Sequence, residues 1–129
     1  MQMVVTGWSD SVAAHHPGIK TIARLDSVHA LIASPRYDEF RDALLVLAAA
    51  NDGVRITEIA GNREILLTGV APASWTAHDV VAPAEYTTPL PTDATRKRVV
   101  MRVPVSELLA VLREYQSEKQ LAIDHIYDY

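Results

Sequence analysis

The chain has 129 residues, 49% hydrophobic and 22% charged, which is one domain's worth of material for a globular core. Its net charge of −4 runs against a nucleic-acid partner, and the one compact basic cluster, Arg96-Lys97-Arg98, reads as the edge of a strand. With no cysteine, disulfide scaffolds, iron–sulfur clusters, thiolate zinc sites and cysteine nucleophiles are excluded.

The first residues, Met1-Gln2-Met3-Val4-Val5, carry neither a basic leader nor an apolar run of signal length. No stretch has the length of a membrane span, so a cytoplasmic location is expected and no membrane partner. Met3 and Val5 fit a short strand, and Gly7-Trp8-Ser9-Asp10 fits a turn. His15-His16-Pro17-Gly18 is a second break, because proline restricts the residue before it and glycine permits a reversal. Ile19, Ile22 and Leu25 have helical spacing over too short a reach to define a helix. Residues 1–25 are therefore read as an N-terminal extension.

From Ser27 to Ala33, Val28, Ala30 and Ile32 alternate with His29, Leu31 and Ala33, which predicts a strand covered on both faces. Ser34-Pro35 reads as a helix cap followed by proline at the first helical position. Tyr37, Phe40, Leu44, Leu47 and Ala48 then recur at helical spacing, while Arg36, Asp38, Glu39, Arg41 and Asp42 face away. Asn51-Asp52-Gly53 ends this helix, since glycine accepts the left-handed conformation.

Strands at Val54–Ala60 and Arg63–Val70 flank Gly61-Asn62, which predicts a hairpin with Ile56 opposite Leu67 and Ile65 opposite Glu58. Residues 71–95 contain Pro72, Pro83, Pro89 and Pro91 without clear periodicity, and predict a long proline-rich excursion of the lid, binding-loop or arm kind. A last unit follows. Val99, Met101, Val103 and Val105 alternate in a strand, Ser106 caps a helix striped by Leu108, Leu109, Leu112 and Tyr115, and a final strand runs from Leu121 to Tyr129.

Two helices with single apolar stripes belong on one face of one antiparallel sheet. Right-handed crossovers then predict a single α+β domain over 1–129, a ferredoxin-like sandwich with one additional hairpin strand and a proline-rich insertion. No internal repeat of fixed period is visible. The open sheet face predicts company, and a homodimer is expected.

The stretch from Val28 to Val70 resembles the opening of an ACT domain: an apolar strand, the tight turn Ala33-Ser34-Pro35, a helix, and Asn51-Asp52-Gly53-Val54-Arg55-Ile56 entering the next strand. Arg98 to Tyr129 is similar in shape to that family's closing strand–helix–strand. The resemblance implies a small-molecule-sensing domain whose ligands, often amino acids, bind at subunit interfaces near the first strand–helix turn. Arg36 stands where that family has glycine after the proline, and residues 1–25 and 71–95 have no counterpart in it.

Among candidate site residues, His125 shares a face with Ile123 and Tyr127, so it is expected to point inward or into a cleft, either as an acid–base pair with Tyr127 or as a histidine of the core or of a dimer interface. Ser34, Arg36, Trp75, His78 and Tyr86 are the candidate ligand contacts, from the first strand–helix turn and the excursion. His15 and His16 are adjacent and diverge, and His78-Asp79 with Glu85 matches no metal spacing, so neither a metal nor a cofactor is expected. The leading expectation is a dimeric, non-catalytic, regulatory module that binds a small ligand or a protein partner. Its rivals are a small cofactor-independent α+β barrel enzyme with His125 as general base, and a structural or assembly subunit.

Overall fold

The computed structural model of the chain describes residues 1–77 and 84–127. The first half runs β1 (Gln2–Thr6), α1 (Asp10–His15), β2 (Lys20–Arg24), β3 (His29–Ala33), α2 (Asp38–Ala50) and β4 (Arg55–Ile59). The second runs β5 (Glu64–Pro72), β6 (Ala84–Leu90), β7 (Asp93–Pro104), α3 (Leu108–Glu118) and β8 (Ala122–Ile126), with a 3-10 turn over Val105–Glu107 leading into α3. The strands pair antiparallel in two four-stranded sheets: sheet A, ordered β2-β3-β1-β4, and sheet B, ordered β6-β7-β5-β8. The class is α+β.

The two sheets repeat one plan. In each half a first strand is followed by an excursion, a hairpin of second and third strands, a crossover helix, and a fourth strand that returns beside the first. A buried tryptophan follows the first strand in both halves, Trp8 and Trp75. In both, a cation from the neighbouring hairpin donates to that tryptophan's backbone carbonyl: Arg24 to Trp8 and Lys97 to Trp75. An aspartate also organises each hairpin. Asp26 accepts from the N–H groups of Val28 and His29, and Asp93 from the N–H and hydroxyl of Thr95. The same offset along the chain separates Trp8 from Trp75 and Asp26 from Asp93.

Alternation along each strand sends one set of side chains inward. In sheet A, Val5 lies opposite Ala30 and Ile56, and Met3 opposite Ile32 and Ile59. In sheet B, Leu67 lies opposite Met101 and Ile126, and Ile65 opposite Val103. Helix α2 buries Phe40, Leu44, Leu47 and Ala48, while α3 buries Leu108, Leu109, Val111, Leu112 and Tyr115. The helices pack on each other, tied by Arg113 donating to the Ala48 carbonyl and Gln116 to the Leu45 carbonyl. Both sheets and both helices contribute to one hydrophobic cluster. Each large side chain fully buried there contributes roughly 1.5–3 kcal/mol relative to an exposed one.

The expected single sheet is thus replaced by two. Ile59 and Asn62 exchange backbone hydrogen bonds around Ala60-Gly61, both at positive φ, so the tight turn falls one residue earlier than the sequence suggests. Beyond that one bridge the strands part, because β1 takes the side of β4 while β7 and β8 flank β5. Ile56 therefore faces Val5 instead of Leu67, and Ile65 faces Val103 instead of Glu58.

Residues 1–25 supply β1, α1 and β2, and β1 is an inner strand of sheet A. The spacing of Ile19, Ile22 and Leu25 belongs to β2 and its flanks. Much of 71–95 is strand: Pro72 ends β5 and Pro89 sits on the edge strand β6, where a missing N–H does least harm. Ser34 does not cap α2. Its N–H donates to the Met1 carbonyl, its hydroxyl donates to the Pro35 carbonyl, and the helix begins at Asp38. Ser106 likewise lies within the 3-10 turn instead of capping α3. The end of α2 is as expected, with Asn51 and Gly53 at positive φ.

Candidate functional site

The residues singled out by sequence do not converge. Ser34 is buried and committed to the N-terminal strand, and Arg36 is exposed in the loop before α2. Trp75 is a core residue, 4% exposed, its Nε1 donating to Glu118 Oε1 at 2.7 Å and its ring set edge-on to Tyr115 at 5.8 Å. Tyr86 projects from the edge strand β6. His78 lies outside the described residues.

His125 and Tyr127 do meet, with ring centroids 4.4 Å apart and planes at 70°. They meet on the outer face of sheet B, not inside. A register shift between Thr68 and Gly69 breaks the alternation of β8, so Ile126 takes the core position and His125 is half-buried on the other side, opposite Thr68. The Thr68 hydroxyl is buried without a hydrogen-bond partner among the described residues.

A different set gathers on the outer face of sheet A, around a cavity of about 510 Å³. That volume is within the range of small-molecule sites. Val4, Thr57 and Glu58 line it from the sheet, and the Thr57 hydroxyl donates to the Val4 carbonyl at 3.1 Å. Leu25, Asp26 and His29 line it from the β2–β3 hairpin, and Arg63 and Ser106 from the second half. Local sequence explains each position. Ala30 and Ile32 are the inward residues of β3, so His29 points out; Arg63 follows the Ala60-Gly61 turn, where the Arg63 carbonyl accepts from the Val105 N–H at 2.8 Å. Arg55 closes the seam between the halves, bonding the Ser106 carbonyl at 3.2 Å and Glu107 at 3.3 Å.

Asp26 gives this hairpin its chemistry. Hydrogen bonds from the backbone N–H of His29, then of Val28, and from the His29 ring hold its carboxyl below the ordinary aspartate range. It is therefore an acceptor only, and His29 Nδ1, 3.0 Å from Asp26 Oδ2, carries the proton. In the neutral ring that leaves Nε2 as an acceptor. Neither the Arg63 guanidinium nor the Glu58 carboxylate has an ion-pair partner among the described residues.

A second histidine–aspartate pair is of another kind. His16 Nε2 meets Asp52 Oδ2 at 3.0 Å with the histidine side chain 3% exposed, tying the loop after α1 to the end of α2. Among the described residues no three His, Asp or Glu side chains gather as a metal needs, and no helix is long and apolar enough to cross a membrane.

Sequence reasoning missed Asp26, His29, Glu58 and Arg63. The signal within reach was Asp26 and His29 three residues apart across a turn. Bringing Arg63 beside them requires the two-sheet topology, which the expected hairpin concealed. No family model, no curated protein and no solved structure matches the chain.

Proposed function

We propose that the chain is a small, non-catalytic, regulatory module that binds a small ligand in the cavity on the outer face of sheet A and works as a dimer. One observation carries this reading: Arg63 and Glu58, opposite charges without ion-pair partners among the described residues, line the same cavity as a histidine whose ring is oriented by a carboxylate. On sheet B, Arg98 meets Asp124 and Arg102 meets Glu85. Groups that hold no partner of their own remain available to a ligand. The resemblance to ferredoxin-like sensing domains points the same way, since β3–α2–β4 and β7–α3–β8 are both strand–helix–strand units. A thermal-shift screen of amino acids, nucleotides and other small anions and cations tests it, with Arg63→Ala in parallel. At least one class stabilises the natural chain and not the variant; no stabilisation by any class sinks the small-ligand reading.

A second copy as the partner is favoured by a separate observation. Ile22, Leu25 and Val28, each more than half exposed, crowd the β2–β3 hairpin. Sedimentation velocity of the natural chain against Ile22→Asp reads this directly: a dimer that the variant lacks supports it, and a natural chain that stays monomeric refutes it.

A further inference from the structure

A second cavity, sharing no wall residue with the one on sheet A, lies where the loop after α1 meets helix α2. Its volume is about 240 Å³, and Pro17, Ile19, Ala43 and Val46 give it an apolar wall. Ala43 and Val46 lie beside the stripe by which α2 packs on the core, and Val46 is 58% exposed. The facing loop is held by its own backbone. The His16 N–H donates to the Ala13 carbonyl at 3.0 Å, the Ile19 N–H donates to the His16 carbonyl at 2.9 Å, and Ile19 is anchored in the core. One polar group stands in this wall with its chemistry already set. His16 lines the cavity with its side chain only 3% exposed. Asp52, just beyond α2, holds its Nε2 at 3.0 Å, and the buried Trp8 ring lies 6.0 Å away, tilted by 30°. A carboxylate only accepts, so Nε2 carries the proton and Nδ1 of the neutral ring is an acceptor. Nδ1 bonds none of the described residues. The charge of the exposed Asp42 is already met, its Oδ1 accepting from Arg41 Nε at 2.9 Å, and His15 is exposed. The cavity therefore presents a neutral acceptor within an apolar wall.

We propose that this cavity is a second binding site, for a small uncharged ring that carries one O–H or N–H donor, a phenol being the simplest. The donor meets His16 Nδ1, and the ring lies on Pro17, Ile19, Ala43 and Val46. Size sets the class: an apolar cavity of about 150 Å³ already takes benzene, so this one holds a single ring with a small substituent. Chemistry sets the donor, because a ring without one covers the histidine nitrogen and leaves it unmet.

The test titrates phenol, anisole and toluene into the isotope-labelled chain and follows amide and imidazole resonances by NMR. Phenol should move the amides of His16, Gly18, Ile19, Ala43 and Val46. It should also shift the Nδ1 resonance of His16, which a histidine serving only to clamp loop to helix would not show. Anisole and toluene, rings of similar size without a donor, should bind about fivefold or more weakly, the loss of one hydrogen bond. Ala43→Leu fills the cavity, and Val46→Asp charges its wall at an exposed position. Circular dichroism confirms that each variant folds, and each should weaken phenol about fivefold or more. Anisole or toluene binding here as tightly as phenol overturns the donor-bearing ligand. Phenol binding that ignores both substitutions, or that moves only amides around the sheet A cavity, overturns the site. No binding of phenol overturns the proposal.

Discussion

The two halves of the molecule share a topology and differ in what they present to solvent. Each has a tryptophan locked beneath its first hairpin and an aspartate shaping the turn of that hairpin. On sheet B, Arg98 reaches Asp124 at 3.4 Å, and Arg102 reaches Glu85 at 2.9 Å and Glu64 at 3.9 Å. On sheet A, Arg24 reaches Asp10 at 3.5 Å and Arg55 reaches Glu107 at 3.3 Å, while Glu58 and Arg63 line a cavity with no ion pair among the described residues, beside exposed Ile22, Leu25 and Val28. Features common to both halves are those the fold requires. Features of one half alone, such as His29 and Arg63, are the better guide to function.

The largest expected effect tests whether the halves are one folding unit. Tyr115, fully buried on α3, packs in the cluster to which both sheets contribute. Tyr115→Ala should lower stability by about 3–5 kcal/mol, the range for truncating a buried aromatic side chain. In urea the amides of sheet A and sheet B should then lose protection at one midpoint, and separate midpoints would show two independent units. Next come the tryptophans. Trp8→Phe removes an indole N–H that donates to Thr21 Oγ1 at 2.8 Å, and Trp75→Phe removes the bond to Glu118 at 2.7 Å. An indole N–H bond to a carboxylate is stronger than one to a hydroxyl, so the loss for Trp75 should be the greater, about 1.5–3 kcal/mol against about 1 kcal/mol for Trp8. Equal losses in chemical denaturation would remove that distinction.

Acid sensitivity comes third, and here the halves should agree. Asp26 is held low chiefly by the His29 N–H, and Asp93 chiefly by the Thr95 hydroxyl. A carboxyl depressed in the folded state stabilises it above the unfolded aspartate pKa, and that contribution fades as pH falls through the folded value. Asp26→Asn and Asp93→Asn should each flatten the acid limb of stability against pH, as read from urea midpoints. A limb unchanged by both substitutions would contradict the role given to these turns. The smallest effect belongs to Thr68→Val on sheet B. It removes a buried hydroxyl that lacks a partner among the described residues, so stability should stay level or rise by about 1 kcal/mol or less. A marked loss would mean that the hydroxyl is satisfied.

The α+β class and most of the element boundaries were readable, because β3, α2, β7 and α3 each carry a clear period and α2 ends on Asn51 and Gly53. The division into two sheets was not. Ala60-Gly61-Asn62 has the composition of a hairpin turn whether the strands beyond it pair or part, and only long-range pairing of β1 with β4 and of β5 with β7 decides. The structural repeat was hidden for a related reason. Its common points, the two tryptophans and the two turn aspartates, are isolated positions with no shared run between them. His125 was misplaced by a single register shift, which no alternation can announce. The cavity residues come from three separate segments, and the pattern of any one of them is that of an ordinary turn or strand end.

The most direct measurement is amide chemical-shift mapping of the labelled chain, titrated with whichever compound stabilises it most in the thermal screen. The account predicts shifts at Leu25 to His29, Thr57, Glu58 and Arg63, and quiet at the corresponding β6–β7 turn of the second half around Asp93 to Arg96. Shifts gathered instead on Tyr86, Thr68 and His125, with the β2–β3 hairpin unmoved, would place binding on sheet B and contradict it.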